Sequence, residues 1–254
     1  MPSRELTAAL EAVRAAAEVI RDYYGRNPRV RIKPDASPVT EADVRSEEVI
    51  RATLAKAFPG YGFYGEETGE HAMTAESIWL VDPIDGTKSF VRLQPFFSTQ
   101  IALMRAGELV LGVSNAPVYN ELAWAEKGSG AFLNDHPVRV SGVSTLADAS
   151  VSTGNMKSLT RAPYWDRMGR LIQRVNRIRG YGDFVHYHLL ARGALDVVIE
   201  TDVNILDIAA LTVLVREAGG TFTDISGAPV GLSTTSVLAT NGALHEQVLA
   251  ALTG

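Results

Sequence analysis

The sequence predicts an α/β protein in which layers of helix alternate with layers of sheet, and three observations support that prediction. Two amphipathic helical patterns open the chain, over residues 4–24 and 40–58. Short apolar or alternating runs separated by turn residues fill residues 78–133, which is typical of an antiparallel meander. From residue 149 onward, strand patterns alternate with helical patterns, as in a sandwich of sheets and helices.

The two N-terminal helices have clear start and stop signals. The first is expected to begin after Ser3 and to end before Gly25. Its apolar side chains share one face: Leu6, Leu10, Val13, Ala17, Ile20 and Tyr24. The second is expected to begin at Thr40, whose hydroxyl can cap it, and to end at Pro59-Gly60. Asp43 would therefore lie in the first turn of the second helix.

The meander and the segment after it account for the remaining elements. The expected strands of the meander are 78–81, 99–104, 109–114, 122–125 and 131–133. Later, strands 149–153, 194–199, 221–225 and 236–240 alternate with helices 163–176, 183–192, 207–218 and 243–252. Because no Pro/Ser-rich or charged linker interrupts the chain, residues 1–254 are expected to form one domain, with halves at about 1–145 and 146–254.

Composition excludes several classes of function. With 46% hydrophobic and 21% charged residues, the 254-residue chain can bury a full core. Its net charge of -5 offers no basic surface for a nucleic acid, so a phosphate-bearing ligand would need a local binding device. No stretch approaches the ~20 apolar residues of a membrane span, and the N-terminal segment is too polar for a signal peptide. The lack of cysteine excludes disulfides and thiolate metal ligands, and a cytoplasmic location is expected.

Acidic residues coincide with turn or helix-start signals at four places in the chain. These are Thr40-Glu41-Ala42-Asp43, Gly65-Glu66-Glu67, Asp82-Pro83-Ile84-Asp85-Gly86-Thr87, and Asp207 at the start of a helical pattern. Taken alone, Asp43 and Asp207 are better explained as acids at the positive end of a helix. Glu66-Glu67 could likewise be a solvated pair.

The stretch from Asp82 to Thr87 is harder to explain by turn chemistry. A buried strand is predicted to end directly in two acids, Asp82 and Asp85, with only two residues between them. Two carboxylates this close repel each other unless a proton or a metal lies between them, and with oxygen ligands the natural ion is Mg²⁺. Gly86 permits a turn whose backbone N–H groups can bind an anion.

Together these motifs resemble the inositol monophosphatase family of metal-dependent phosphatases. The Gly-Glu-Glu turn, Asp-Pro-Ile-Asp-Gly-Thr, and a late Asp-x-Ala-Ala followed by Glu-Ala-Gly-Gly occur in the family's order, between about Lys33 and Asn241. The resemblance implies a layered αβαβα sandwich, the fold of inositol monophosphatases and fructose bisphosphatases. It also implies two or three Mg²⁺ ions held by Glu66, Asp82, Asp85, Asp207 and the backbone carbonyl of Ile84.

The same resemblance implies the catalytic roles and the small phosphorylated substrate. Asp43 and Thr87 would hold and activate the attacking water, with Glu66 as a third member of the catalytic set. Gly86 and Thr87 would hold the phosphate through backbone N–H groups at a helix start. The family usually has Trp-Asp where this chain has Leu206-Asp207, a change that keeps the ligand. A homodimer and sensitivity to lithium are implied as well.

A distant segment predicts the substrate. Gly180-Tyr181-Gly182-Asp183-Phe184 resembles the histidinol-phosphatase branch, and the stretch 33–40 resembles the histidinol and nucleotide-phosphate branches. Histidinol phosphate has a cationic amine, which Asp183 and Glu200 would suit if they reach the pocket. Asp183 could equally cap the following helix, and Glu200 could be a solvated acid. Lys88 either contacts the substrate phosphate or is a solvated lysine.

Histidinol phosphatase, an enzyme of histidine biosynthesis, is therefore the expected activity, and three alternatives stay open. Two are an inositol-1-monophosphatase and a nucleotide or sugar phosphatase of the same family. The third is a non-catalytic regulatory protein that binds metal or phosphate, which the presence of both Asp43 and Thr87 disfavours. Serine-hydrolase and P-loop motifs are absent from the sequence. His186 and His188 would point to different faces of a helix and so would not share a metal.

Overall fold

The computed structural model describes residues 2–26, 30–32 and 38–254, so residues 33–37 of the stretch 33–40 lie outside the described part. The helices are α1 (Arg4–Tyr23), α2 (Glu41–Ala57), α3 (Thr87–Val91), α4 (Met156–Leu159), α5 (Trp165–Ile172), α6 (Asp183–Ala191), α7 (Ile205–Glu217) and α8 (His245–Thr253). The strands are β1 (Val30–Ile32), β2 (Pro38–Thr40), β3 (Gly62–Gly65), β4 (Gly69–His71), β5 (Ser77–Asp85), β6 (Ser98–Arg105), β7 (Glu108–Ala116), β8 (Glu121–Glu126), β9 (Ala131–Leu133), β10 (His136–Val138), β11 (Ser150–Thr153), β12 (Arg177–Arg179), β13 (Val197–Thr201), β14 (Thr221–Thr223) and β15 (Ser236–Thr240).

Two sheets form the framework. The larger has the strand order β10-β9-β8-β7-β6-β5-β3-β4, and its strands from β5 to β10 are each antiparallel to the next, which confirms the predicted meander. The smaller has the order β12-β11-β13-β15-β14. In it, β11 is parallel to β12 and β13, and β15 is antiparallel to β13 and β14. β1 and β2 pair separately as a short antiparallel ribbon.

Helices and sheets alternate in five layers. α1 and α2 cover one face of the large sheet, and Trp79 and Val81 of β5 point into that core. Ile78 and Leu80 of the same strand point to the opposite face, where they pack with α6 and α7. The same core includes Val198 of the smaller sheet, so α6 and α7 lie between the sheets. α5 and α8 cover the far face of the smaller sheet, which completes the expected αβαβα order.

The central helix α7 is apolar around its whole circumference. Ten of its 13 residues are buried, as expected for a helix packed between two sheets. Leu206, where the resemblance leads us to expect Trp, is 4% exposed and belongs to this core. A leucine therefore fills this core position, and the neighbouring Asp207 keeps its place in the first turn of α7.

The predicted element boundaries are wrong at several places. β5 extends to residue 85 rather than 81, so both Asp82 and Asp85 belong to the strand. The helix predicted over 163–176 is shorter, at Trp165–Ile172. β3, β4, β10, β12 and α4 had no predicted counterpart, because elements of three or four residues are too short to show a period. In the described part of the chain, none of the helices has the length and apolarity that a membrane crossing would need.

Candidate functional site

Two core elements bring three carboxylates to one point. Asp82 and Asp85 lie at the end of β5, where the pairing register with β6 shifts between them. The N–H of Ile84 donates to Asp82 Oδ1 at 2.9 Å, which orients that carboxylate. Asp207, on the first turn of α7, reaches the same place, and ligand oxygens of the three acids lie within 4.8 Å of one another. We call Asp82, Asp85 and Asp207 the acid cluster.

The acid cluster is electrostatically unfavourable unless a cation or protons are present. Burial raises the pKa of Asp82 well above its ordinary range, and the charges of Glu66 and Asp85 add to that effect. Burial raises the pKa of Asp85 in the same way, with Asp183 and Asp207 adding. Burial raises the pKa of Asp207 to about 7. Because the ligands are all carboxylate oxygens, the cluster fits a hard divalent ion such as Mg²⁺.

The proposed metal ligands all line one cleft. Its volume is about 240 Å³, and its walls include Glu66, Asp82, Ile84, Asp85 and Asp207. Gly86, Thr87 and the exposed Lys88 line the same cleft. A larger cavity of about 410 Å³ lies along α1 and contains none of these residues. The chemistry of the lining, rather than its volume, therefore identifies the candidate site.

Asp43 lies beneath the cleft wall and contacts the site through Thr87. Thr87 Oγ1 lies 3.1 Å from Asp43 Oδ1 and 3.1 Å from the carbonyl oxygen of Ile84, so its proton can go to either. The other oxygen of Asp43 accepts the N–H and the hydroxyl of Thr40, at 2.7 and 2.6 Å. Burial raises the pKa of Asp43. Asp43 is therefore a fully buried carboxylate held in a fixed orientation toward Thr87.

The turn between β5 and α3 requires glycine. Gly86 has a φ of +90°, and a Cβ there would lie 2.7 Å from the carbonyl oxygen of Phe96. The carbonyl of Gly86 accepts N–H groups from Ser89 and Phe90, which closes the first turn of α3. The N–H of Thr87 comes before these donors in the chain, so the helix itself does not use it. An N–H group of this kind at a helix start can bind an anion.

Glu200 is a buried acid with two assigned donors, so its alternative interpretation as a solvated residue is wrong. It is 5% exposed, and its Oε2 accepts Tyr187 Oη at 2.7 Å and lies 3.1 Å from His186 Nε2. The other nitrogen of His186 lies 3.3 Å from Ser152 Oγ, which accepts the N–H of Tyr181 at 3.2 Å. A carboxylate oxygen can only accept, so His186 donates from Nε2 to Glu200, and in the neutral imidazole its Nδ1 then accepts from the Ser152 hydroxyl.

Asp183 does not cap its helix. It is the first residue of α6, the N-cap position belongs to Gly182, and its φ of +44° is unusual for a residue other than glycine. Burial raises the pKa of Asp183 to about 6, with Glu200 adding to the shift and Lys88 opposing it.

Asp183 lines the cleft and also an adjoining cavity of about 40 Å³. Glu200, Asp85 and Asp207 line that cavity too.

The two histidines of α6 face opposite sheets, as expected. His186 contacts the smaller sheet through Ser152 and Glu200, whereas His188 lies 2.9 Å from Glu121 Oε2 and 2.9 Å from Ser114 Oγ in the larger one. Neither belongs to the acid cluster. We did not predict the contacts of Tyr187 and His186 with Glu200, because a buried helix such as α6 reads in sequence as ordinary core.

Asn155 is a further residue of the site that the sequence did not indicate. It lines both the cleft and the adjoining cavity, and its Nδ2 donates to the carbonyl oxygens of Thr201 and Asp202 at 2.8 and 3.2 Å. Asparagine in a turn before a short helix is common in any protein, so its sequence context offered no signal.

Comparisons with known proteins agree with this geometry. The family model described as the inositol monophosphatase family matches residues 2–254. A histidinol-phosphatase from Mycobacterium tuberculosis is 40% identical over 258 residues, covering 99% of each sequence. An inositol-1-monophosphatase from Mesorhizobium japonicum is 36% identical over 247 residues, covering 95% of this chain and 92% of the relative. The crystal structure of the extragenic suppressor protein suhB from Bartonella henselae superposes with a TM-score of 0.91 at 33% identity, covering 99% of both chains.

Proposed function

The chain belongs to the inositol monophosphatase family of metal-dependent phosphatases, and we propose that it hydrolyses histidinol phosphate to histidinol and phosphate. The observation that most supports a hydrolytic role is the convergence of the acid cluster with the Asp43–Thr87 pair at one cleft. Only Oδ2 of Asp43 takes part in capping the helix, so a protein that only bound metal or phosphate would have no need for its Oδ1 to face a threonine hydroxyl beside the acids.

The metal ligands in this proposal are Glu66, Asp82, Asp85, Asp207 and the Ile84 carbonyl, which would hold two or three Mg²⁺ ions. Bound divalent ions would neutralise phosphate oxygens, lower the pKa of a water and stabilise the departing alkoxide. The orientation of Asp82 by the Ile84 N–H and that of Asp207 by Asn204 would keep the ligand oxygens in place before any metal arrives.

Thr87 and Asp43 would position the attacking water and take its proton. Thr87 Oγ1 would accept a proton from the water while its own proton moves to Asp43 Oδ1, 3.1 Å away. The raised pKa of Asp43 suits a group that must accept a proton near neutral pH. Backbone N–H groups of Gly86 and Thr87 would orient the phosphate, and the exposed Lys88 at the cleft would add a positive charge.

The assignment of histidinol phosphate rests on the carboxylates beside the acid cluster. Asp183 and Glu200 line the adjoining cavity, where a cationic amine would be attracted and where a neutral inositol ring would gain no charge pairing. Inositol-1-phosphate is the second candidate, because carboxylates also accept hydrogen bonds from hydroxyls and the inositol-1-monophosphatase relative is nearly as similar.

A substrate panel tests the proposal. Phosphate release would be measured with histidinol phosphate, inositol-1-phosphate, fructose-1,6-bisphosphate and adenosine 3′,5′-bisphosphate, each with Mg²⁺ and with a chelator. We expect the highest kcat/KM for histidinol phosphate and no turnover with chelator. A clear preference for inositol-1-phosphate would refute the roles of Asp183 and Glu200. Metal binding with no phosphate release from any substrate would instead indicate the regulatory protein.

One substitution tests the amine contact separately. Asp183→Asn should lower kcat/KM for histidinol phosphate by about tenfold or more, since hydrogen bonds to charged groups contribute roughly 1.5–3 kcal/mol. Turnover of an aryl phosphate, which has no amine, should change little. Asp135→Asn, in the β9–β10 turn, is the matched control. An equal loss on both substrates would return Asp183 to a structural role.

A homodimer in the cytoplasm completes the proposal. Homodimers are the commonest oligomers, and a chain without cysteine fits a reducing compartment. Light scattering during size-exclusion chromatography should give twice the chain mass of 27.4 kDa. We also infer that residues 1–254 form one domain, so that thermal unfolding should follow a single cooperative transition.

A further inference from the structure

A second buried carboxylate of α2 lies one turn after Asp43 and has no part in the mechanism above. Glu47 is fully buried, and each of its oxygens accepts one backbone N–H. Oε2 accepts from Glu67 at 2.8 Å, and Oε1 accepts from Thr68 at 2.8 Å. These two donors directly follow Glu66 in the chain, so the carboxylate clamps the turn that presents Glu66 to the cleft.

The turn passes close to the carboxylate of Glu47. A Cβ on Gly65 would lie 2.6 Å from Cδ and Oε1 of Glu47 and from Cε1 of Phe63, so a larger residue there would displace these side chains. On its other side, the N–H of Glu66 donates to the carbonyl oxygen of Val81 at 3.1 Å, which ties the turn to β5. Glu66 is therefore held between the strand that ends in the acid cluster and the helix that contains Asp43.

We propose that Glu47 is a positioning residue, which fixes the Glu66 turn so that Glu66 can share a metal with the acid cluster. The inference rests on the proposed metal site. Asp43 and Glu47, four residues apart, lie on the same face of α2. One rigid helix thus sets both the place of Thr87, through Asp43, and the place of Glu66, through Glu47.

The charge and length of Glu47 are both required by this geometry. A carboxylate can accept from two adjacent N–H groups at once, and such charge-assisted bonds are about twice as strong as neutral ones. An amide of the same shape would turn an NH₂ group toward one of the two donors, leaving that buried N–H without an acceptor. A shorter carboxylate would keep the charge but would not reach the turn.

The test measures metal binding without substrate. In Glu47→Gln, the affinity for Mn²⁺, followed by the electron paramagnetic resonance signal of the free ion, should fall by about 10- to 100-fold, the usual effect of losing a group that orients a ligand. The Mg²⁺ concentration for half-maximal phosphatase activity should rise by a similar factor. Glu47→Asp should weaken binding as well, and it provides the test if the glutamine variant does not fold. Glu48→Gln, an exposed neighbour on α2, should bind Mn²⁺ like the wild type.

The outcomes separate positioning from a purely structural role. If both Glu47 variants lose thermal stability but bind Mn²⁺ as tightly as the wild type, the inference is overturned. If the wild type itself binds no Mn²⁺, the proposed metal site fails, and the role of Glu47 fails with it. Weaker Mn²⁺ binding in folded Glu47 variants alone, with Glu48→Gln unchanged, supports the inference.

Discussion

Asp43 and Asp207 occupy the same position in two different helices. Each is the third residue of its helix, and each accepts the backbone N–H of the residue that caps the helix, Thr40 at 2.7 Å and Asn204 at 2.8 Å. The capping interpretation of these acids is therefore confirmed. It does not exclude a role in the site, because the bond that caps the helix also fixes the carboxylate at the cleft.

Asp85 differs from these two acids because it starts no helix. Asp85→Asn should therefore remove a metal ligand with little effect on the fold. We expect Mg²⁺-dependent turnover to fall more than about 100-fold, since the metals contribute several kcal/mol to transition-state stabilisation. Without metal, the variant should melt at the same temperature as the wild type or higher, because one repelling buried charge is gone. Turnover by either protein in excess chelator would contradict the metal requirement.

The water-positioning pair makes a different prediction. Thr87→Ala should lower kcat by about 10²- to 10⁴-fold, the range for loss of general acid–base assistance, while Mn²⁺ affinity changes little. Thr87→Ser keeps the hydroxyl that lies 3.1 Å from Asp43, and it should retain most of the activity. A kcat for Thr87→Ala close to that of Thr87→Ser would show that the hydroxyl of Thr87 has no part in the reaction.

Much of the fold could be predicted from the spacing of apolar residues and from the residues that start helices or form turns. α1 shows its apolar stripe and its cap Ser3 directly in the sequence, and the cap is observed, with Ser3 Oγ accepting the N–H of Leu6 at 3.0 Å. The meander is visible because its turns contain glycine or other turn residues. β12, which reads Arg177-Ile178-Arg179, shows no such signal, since its place in the sheet depends on pairing with β11.

The site was predictable to the extent that its residues belong to local motifs. Asp82 and Asp85 share one motif, a turn signal marked Glu66, and helix-start signals marked Asp43 and Asp207. The partners of Glu200 could not be found this way, because Tyr187 and His186 meet it only when α6 packs on the smaller sheet. Glu47 was missed for the same reason, since its contact with residues 67 and 68 depends on how α2 packs on β3.

Gly154 provides a test of how Glu200 is placed. A Cβ at this position would overlap Glu200 Oε1, so Gly154→Ala should displace the carboxylate from the cavity. We expect kcat/KM for histidinol phosphate to fall about tenfold or more, with aryl phosphate turnover affected much less. Gly169→Ala on α5 is the matched control, because nothing lies near its Cβ, and it should add about 0.4–1 kcal/mol of stability. Equal losses on the two substrates would mean that Gly154 matters only for folding.

His188 should make the protein less stable at mildly acidic pH. Burial lowers the pKa of His188 below its ordinary value of 6.5, and Arg192 adds to this, although Glu121 opposes it. The unfolded chain therefore binds a proton here at a higher pH than the folded protein, so the free energy of unfolding falls as the pH drops below about 6.5. Burial also raises the pKa of Glu121, but the hydrogen bond from His188 and the charges of His188 and Arg192 outweigh burial and lower this pKa from 4.5. Glu121 therefore changes the free energy of unfolding only at a lower pH than His188 does.

His188→Gln removes this titration and should flatten the pH dependence. Between pH 7.5 and 5.5, the wild type should lose up to about 1 kcal/mol more unfolding free energy than the variant, as one proton is worth 1.36 kcal/mol per pH unit. Urea denaturation at each pH, with chelator present, gives both curves, and carboxylates of the acid cluster contribute equally to each. His136→Gln, at an exposed site on β10, should follow the wild type. Parallel curves for His188→Gln and the wild type would show that the imidazole of His188 ionises as readily in the folded protein as in the unfolded chain.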